Sequence, residues 1–194
     1  MENNMDLIAK LPSRKQFMIA TAIAFFMLLT RGSHVLTSVA LPDASIALFL
    51  FGGLYLRRLS WFIMFFVLAT LIDFGSAAFD PAQGFCLTNG YWGLIPTYGV
   101  MWLGGLWLGN QTDAFSAIKY LIVSLLTSFL AFIVSTQTYY LFSGRFPNNG
   151  VLETMKFGWN YLASWMGYAA MYFALAWLTI AVLRSIKPAQ TFKI

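Results

Sequence analysis

Polar and apolar positions divide this chain into six long apolar runs separated by short turn-rich breaks. The runs lie at about 16–30, 44–56, 59–79, 91–109, 114–142 and 157–184. A helix that crosses a bilayer needs roughly 20 mostly apolar residues, so the pattern predicts an all-α membrane protein with six transmembrane helices. The second run is short for a full crossing: it is tilted at its ends, continued by Val35–Leu41, or only partly inserted. The last two are long enough to project from the bilayer or to tilt strongly. No internal repeat or low-complexity linker interrupts the pattern, so residues 1–194 are read as a single integral membrane domain.

Composition agrees with that pattern. The chain is 59% hydrophobic and only 10% charged, with a mean hydropathy of +0.70. Soluble domains carry roughly 25% charged residues. Aromatic residues make up 18% and are spread through the apolar runs, as suits a protein that lines an apolar cavity as well as facing lipid.

The net charge of +5 matters through its placement. With six spans both termini share a side, and Lys10, Arg14, Lys15, Arg57, Arg58, Lys119, Arg184, Lys187 and Lys193 fall on it. Arg31, Arg145 and Lys156 fall on the other. The positive-inside rule then puts both termini in the cytoplasm and removes the nucleic-acid reading of the charge. Lys10, Arg14 and Lys15 ahead of Phe17–Thr30 also have the form of a signal peptide. Arg31 and the polar residues after it break the approach to the cleavage-like Ser38-Val39-Ala40.

In this topology the outward loops are Arg31–Asp43, Asp80–Gly90 and Ser143–Met155, and they hold His34, Cys86, Arg145 and Glu153. One cysteine excludes an internal disulfide and a Cys-rich zinc site, and one histidine excludes a multi-His cage. No Walker motif, GxGxxG or HExxH occurs, so neither a bound nucleotide nor a tightly held zinc is expected.

The lone Cys86 sits in FDPAQGFCLTNGYW, Phe79 to Trp92, among turn-forming Pro81, Gly84, Asn89 and Gly90. It reads either as a small buried hydrophobe or as a ligand. A tetrapyrrole supplies four equatorial nitrogens and leaves the protein one axial position, which a single thiolate can fill on iron or cobalt. His34 is a second axial ligand, a hydrogen-bond donor or an interfacial residue. Tyr91, five residues after Cys86, can reach a ligand shared with it.

Asp73 lies inside the third run, roughly 21 Å along a helix counted from Leu59 at ~1.5 Å per residue. A carboxylate at such depth is a functional candidate; the bland alternative is a helix cap or a partner of Arg145 or Lys156. Ala20 and Ala24, four apart in the first run, form a small-xxx-small face that can dock another membrane helix. The glycines of WLGGLWLG in the fourth run are read as serving internal packing.

Together, RGSHVL with His34, LIDFGS with Asp73 and GFCLTNGYWGLIPTYG with Cys86 and Tyr91 resemble BtuM. That family comprises the cobalamin-specific S-components of energy-coupling-factor (ECF) vitamin transporters. The resemblance implies a six-helix S-component-like bundle in the bacterial inner membrane. It also implies base-off cobalamin in an outward pocket, with Cys86 as the axial cobalt ligand and His34, Asp73 and Tyr91 around it. Arg145 joins that set from charge and loop placement alone. The expected partner is an ECF module, a transmembrane scaffold with two ATPases docking near Ala20 and Ala24; solitary action is the alternative. A thiolate on cobalt labilises the opposite ligand, so decyanation of cyanocobalamin at Cys86 is a further expectation. Two rival readings stand: a haem–thiolate redox or assembly protein, and an S-component for a metal-free vitamin.

Overall fold

A computed structural model describes residues 13–31, 41–111, 116–146 and 150–186. Among these residues every regular element is helical. Six long helices arise from the six apolar runs: α1 (Ser13–Arg31), α2 (Ser45–Tyr55), α3 (Leu59–Phe79), α4 (Leu94–Gly109), α5 (Ala117–Phe142) and α7 (Leu162–Ile186), with a single turn, α6 (Val151–Thr154), before the last.

The helices are not equivalent. Three segments, Leu59–Phe79, Ala117–Phe142 and Val151–Val182, are long and apolar enough to cross a membrane. In α3 only Phe65 and Ala69 are buried, while Leu59, Ile63, Val67, Leu71 and Phe74 point outward and are exposed. So continuous an apolar surface is untenable in water and suits contact with lipid.

The short second run resolves differently. Val35–Ala40 lies outside the described residues, and α2 is an 11-residue helix with nine residues buried. It spans about 16 Å at ~1.5 Å per residue, so the helix by itself covers about half of the ~30 Å hydrocarbon core. A helix apolar on every side belongs in a core, and α2 is the core of this one.

Helix α2 is held against α4 by close backbone approach. A Cβ on Gly53 would overlap the carbonyl of Trp102, and one on Gly105 would overlap the carbonyl of Leu50. Glycine is therefore required at both positions, and WLGGLWLG is an internal packing surface. Phe49 of α2 stacks on Tyr98 of α4 at 4.2 Å between centroids, with an interplanar angle of 3°. In an apolar solvent such packing is what holds helices together, because burial from lipid supplies little.

The α3–α4 connection is built by its turn residues. Asp80 precedes Pro81, which disfavours helical backbone at Asp80, and its φ of −135° and ψ of 105° are extended. Helix α3 therefore stops at Phe79. The Asp80 carboxylate accepts from the Ala82 amide at 3.0 Å and caps a 3-10 turn over Pro81–Cys86. Thr88 Oγ1 accepts from the Gly90 amide at 3.2 Å and caps a second turn, Asn89–Gly93. The fourth run thus opens with a 3-10 turn at residues 89–93, and its α-helix begins only at Leu94.

Candidate functional site

Where this connection meets α5 the structure holds an open cavity of about 670 Å³, within the ~300–1,000 Å³ range of small-molecule sites. Its walls are aromatic, with Tyr91, Tyr98, Tyr139 and Trp165 among them, and Arg31, Asp43, Asp73 and Cys86 also line it. The cavity brings together three residues singled out from the sequence, Cys86, Asp73 and Tyr91.

Cys86 ends the first 3-10 turn and is an exposed free thiol. Its loop is pinned on two sides. Gly84 lies against Ala77 of α3, where an added Cβ would come within 3.3 Å. Gly90 and Gly93 lie against Thr138 and Tyr139 of α5, and a Cβ on Gly93 would overlap the Thr138 side chain. Desolvation pushes the Cys86 thiol up from its ordinary pKa, and the Asp73 carboxylate adds to the rise; Arg145 and Arg31 work against it. Cys86 therefore rests as a thiol near neutral pH. Among the described residues no three His, Cys, Asp or Glu side chains gather into a metal cage.

Asp73 has a partner, and it is neither Arg145 nor Lys156. Arg31 at the end of α1 donates from Nε to Asp73 Oδ1 at 2.6 Å and from Nη2 to Oδ2 at 2.6 Å. Such bidentate pairs are among the strongest hydrogen-bonded contacts a protein makes. Nη1 of the same guanidinium reaches Asp43 Oδ2 at 3.0 Å, Ser45 Oγ at 2.9 Å and the Tyr98 hydroxyl at 2.6 Å. The Arg31 side chain is only 9% exposed, so its charge depends on these partners. Tyr91, buried at 6% exposure, donates its hydroxyl to Asp73 Oδ2 at 3.0 Å. Asp73 and Tyr91 thus face the cavity as parts of one network that ties α1 to α2, α3 and α4.

The remaining candidates separate. Arg145 is not among the residues lining the cavity; it holds the Cys86 loop through Phe85. Its Nη2 donates to the Phe85 carbonyl at 2.9 Å, and its guanidinium lies 3.8 Å from the Phe85 ring centroid. Lys156 pairs with Glu153 at 2.8 Å. His34 lies outside the described residues. Ala20 is 2% exposed and Ala24 is partly buried against the same core, so the small-residue spacing on α1 lets the helix approach its own bundle.

No family model matches this chain, and no curated protein does.

Arg31, Asp43 and Tyr98 were not singled out from sequence. The signal was present, since a 10%-charged chain places few ions near an apolar core and those it does place seek one another. The wall from α5 had a signal too: STQTYY at Ser135–Tyr140 interrupts an apolar helix with six side chains able to hydrogen-bond.

Proposed function

We propose that this chain is a cobalamin-binding S-component of the bacterial inner membrane, a six-helix bundle with cytoplasmic termini, which captures the vitamin outside for delivery inward. The observation that carries the reading is the free thiol of Cys86 on the wall of an aromatic cavity large enough for a cofactor-sized ligand. A corrinoid brings its own four equatorial nitrogens and asks for one axial donor; Cys86 supplies it, and the vitamin binds base-off. The aromatic walls suit the broad apolar faces of the macrocycle, and the open mouth leaves room for its nucleotide tail.

The same contact has a chemical consequence. When the Cys86 sulfur bonds to the cobalt of cyanocobalamin, the thiol proton leaves, and the opposite Co–C bond weakens through donation from sulfur. Cyanide departs with the bonding pair and is protonated to hydrogen cyanide, with no change of oxidation state at cobalt.

The sequence carries no Walker motif, so on this reading concentrative uptake draws on an ECF module with two ATPases, and solitary facilitation is the alternative. Growth of a cobalamin-dependent, uptake-deficient bacterial strain tests the function. Restored growth on nanomolar cobalamin with the wild-type chain, lost with Cys86→Ala, is the expected result. No growth from a well-expressed wild-type chain, with or without a supplied ECF module, overturns it.

A further inference from the structure

Tyr139 of α5 lines the cavity, yet its hydroxyl is buried and has no hydrogen-bond partner among the described residues. A buried hydroxyl left unpaired is costly, and native structures keep few of them. The ring is held in place. It packs edge-on against Tyr140 and Phe146, with centroids 5.8 and 6.2 Å away. Its backbone is pressed by Gly90, where an added Cβ would come within 3.0 Å of the Tyr139 Cα. The connection that carries Cys86 therefore also fixes Tyr139.

Neighbouring groups are already engaged. Thr138 donates to the carbonyls of Val134 at 2.8 Å and Ser135 at 3.0 Å, and Tyr91 donates to Asp73. The Tyr139 hydroxyl is close enough to Cys86 and Arg145 to feel both electrostatically, but it bonds to neither.

We propose that Tyr139 is a cargo-binding residue whose hydroxyl donates a hydrogen bond to a neutral amide carbonyl on the rim of a corrinoid held at Cys86. This deepens the cobalamin reading and rests on it. A neutral acceptor fits a site whose charges balance, with Arg31 against Asp43 and Asp73 on the cavity wall and Arg145 close to Cys86 and Tyr139. The rim of cobalamin carries several primary amides, each with a carbonyl oxygen able to accept from a phenol.

The test is Tyr139→Phe in the full chain, purified in detergent and titrated with aquocobalamin, with Cys86→Ala measured alongside. Affinity for aquocobalamin should fall roughly five- to tenfold. The unfolding midpoint without cargo should stay unchanged or rise, and the cobalt–thiolate absorption at saturation should stay as in the wild type. Unchanged affinity in Tyr139→Phe, while Cys86→Ala binds weakly, overturns the Tyr139 assignment and leaves the cobalamin reading standing. A lower midpoint with unchanged affinity, or a shifted cobalt–thiolate band with unchanged affinity, also overturns it, since the hydroxyl would then serve the fold or the thiol. Cys86→Ala binding like the wild type overturns both.

Discussion

Arg31 and Asp73 stand 42 positions apart in sequence and meet in a bidentate pair, with Nε and Nη2 of the guanidinium each 2.6 Å from a different carboxylate oxygen. The Arg31 side chain is 9% exposed and that of Asp73 21%, so neither charge has enough water to stand alone. Removing one partner strands the other. Arg31→Met is expected to destabilise the protein by about 3 kcal/mol, read as a lower unfolding midpoint in detergent. Arg31→Met combined with Asp73→Asn should cost clearly less than the sum of the two single changes. Strict additivity would mean the pair does not hold the bundle.

Tyr91 adds a second, weaker tie to the same carboxylate. Tyr91→Phe keeps the edge-on contact with Phe74 at 5.9 Å and loses the 3.0 Å hydrogen bond to Asp73. A cost of about 1 kcal/mol is expected in thermal unfolding. Tyr91→Leu, which also discards the ring contact, should cost more; equal losses would assign the whole effect to the hydroxyl.

The α2–α4 contact makes a sharper contrast. Gly53→Ala and Gly105→Ala each force a Cβ into a backbone carbonyl, and overpacking of this kind costs about 1–3 kcal/mol or more. Gly75→Ala and Gly99→Ala place the same methyl in open space within helices. There the better helix propensity of alanine should leave stability unchanged or raise it by up to about 1 kcal/mol. Melting curves of the four variants check this; uniform effects would contradict the packing described for α2.

These contacts show what could be read along the chain and what could not. The six apolar runs became six helices because hydrophobic run length reports directly on helix and solvent. The Cys86 loop was legible for a similar reason, since Pro81 sets the backbone of Asp80 before it and ends α3 locally. The Arg31–Asp73 pair was not: long-range pairing depends on how helices rotate against one another, and nothing local distinguishes Arg31 from Arg145 as a partner. Ala20 and Ala24 were legible only in part, because small-residue spacing marks close approach without saying to which helix.

The protonation state of Cys86 gives a pH prediction. Partial desolvation and the Asp73 carboxylate raise its pKa, so the resting group is the thiol, and on the proposed reading bonding to the cobalt of aquocobalamin releases a proton. Binding is therefore favoured as pH rises toward the thiol pKa, by about tenfold per pH unit below it. Titrations at pH 6 and pH 7 should show tighter binding at the higher value. A pH-independent affinity would mean the bond forms without loss of the thiol proton, contrary to thiolate ligation.

Cobalt on Cys86 is the central claim, and absorption spectroscopy of the purified protein with aquocobalamin tests it most directly. Wild-type protein should turn the vitamin base-off and develop a cobalt–thiolate band. Cys86→Ala should show no such band and bind at least a hundredfold more weakly, about 2.7 kcal/mol. A Soret band in the protein as isolated, or equal cobalamin affinity with and without the Cys86 sulfur, would contradict the account.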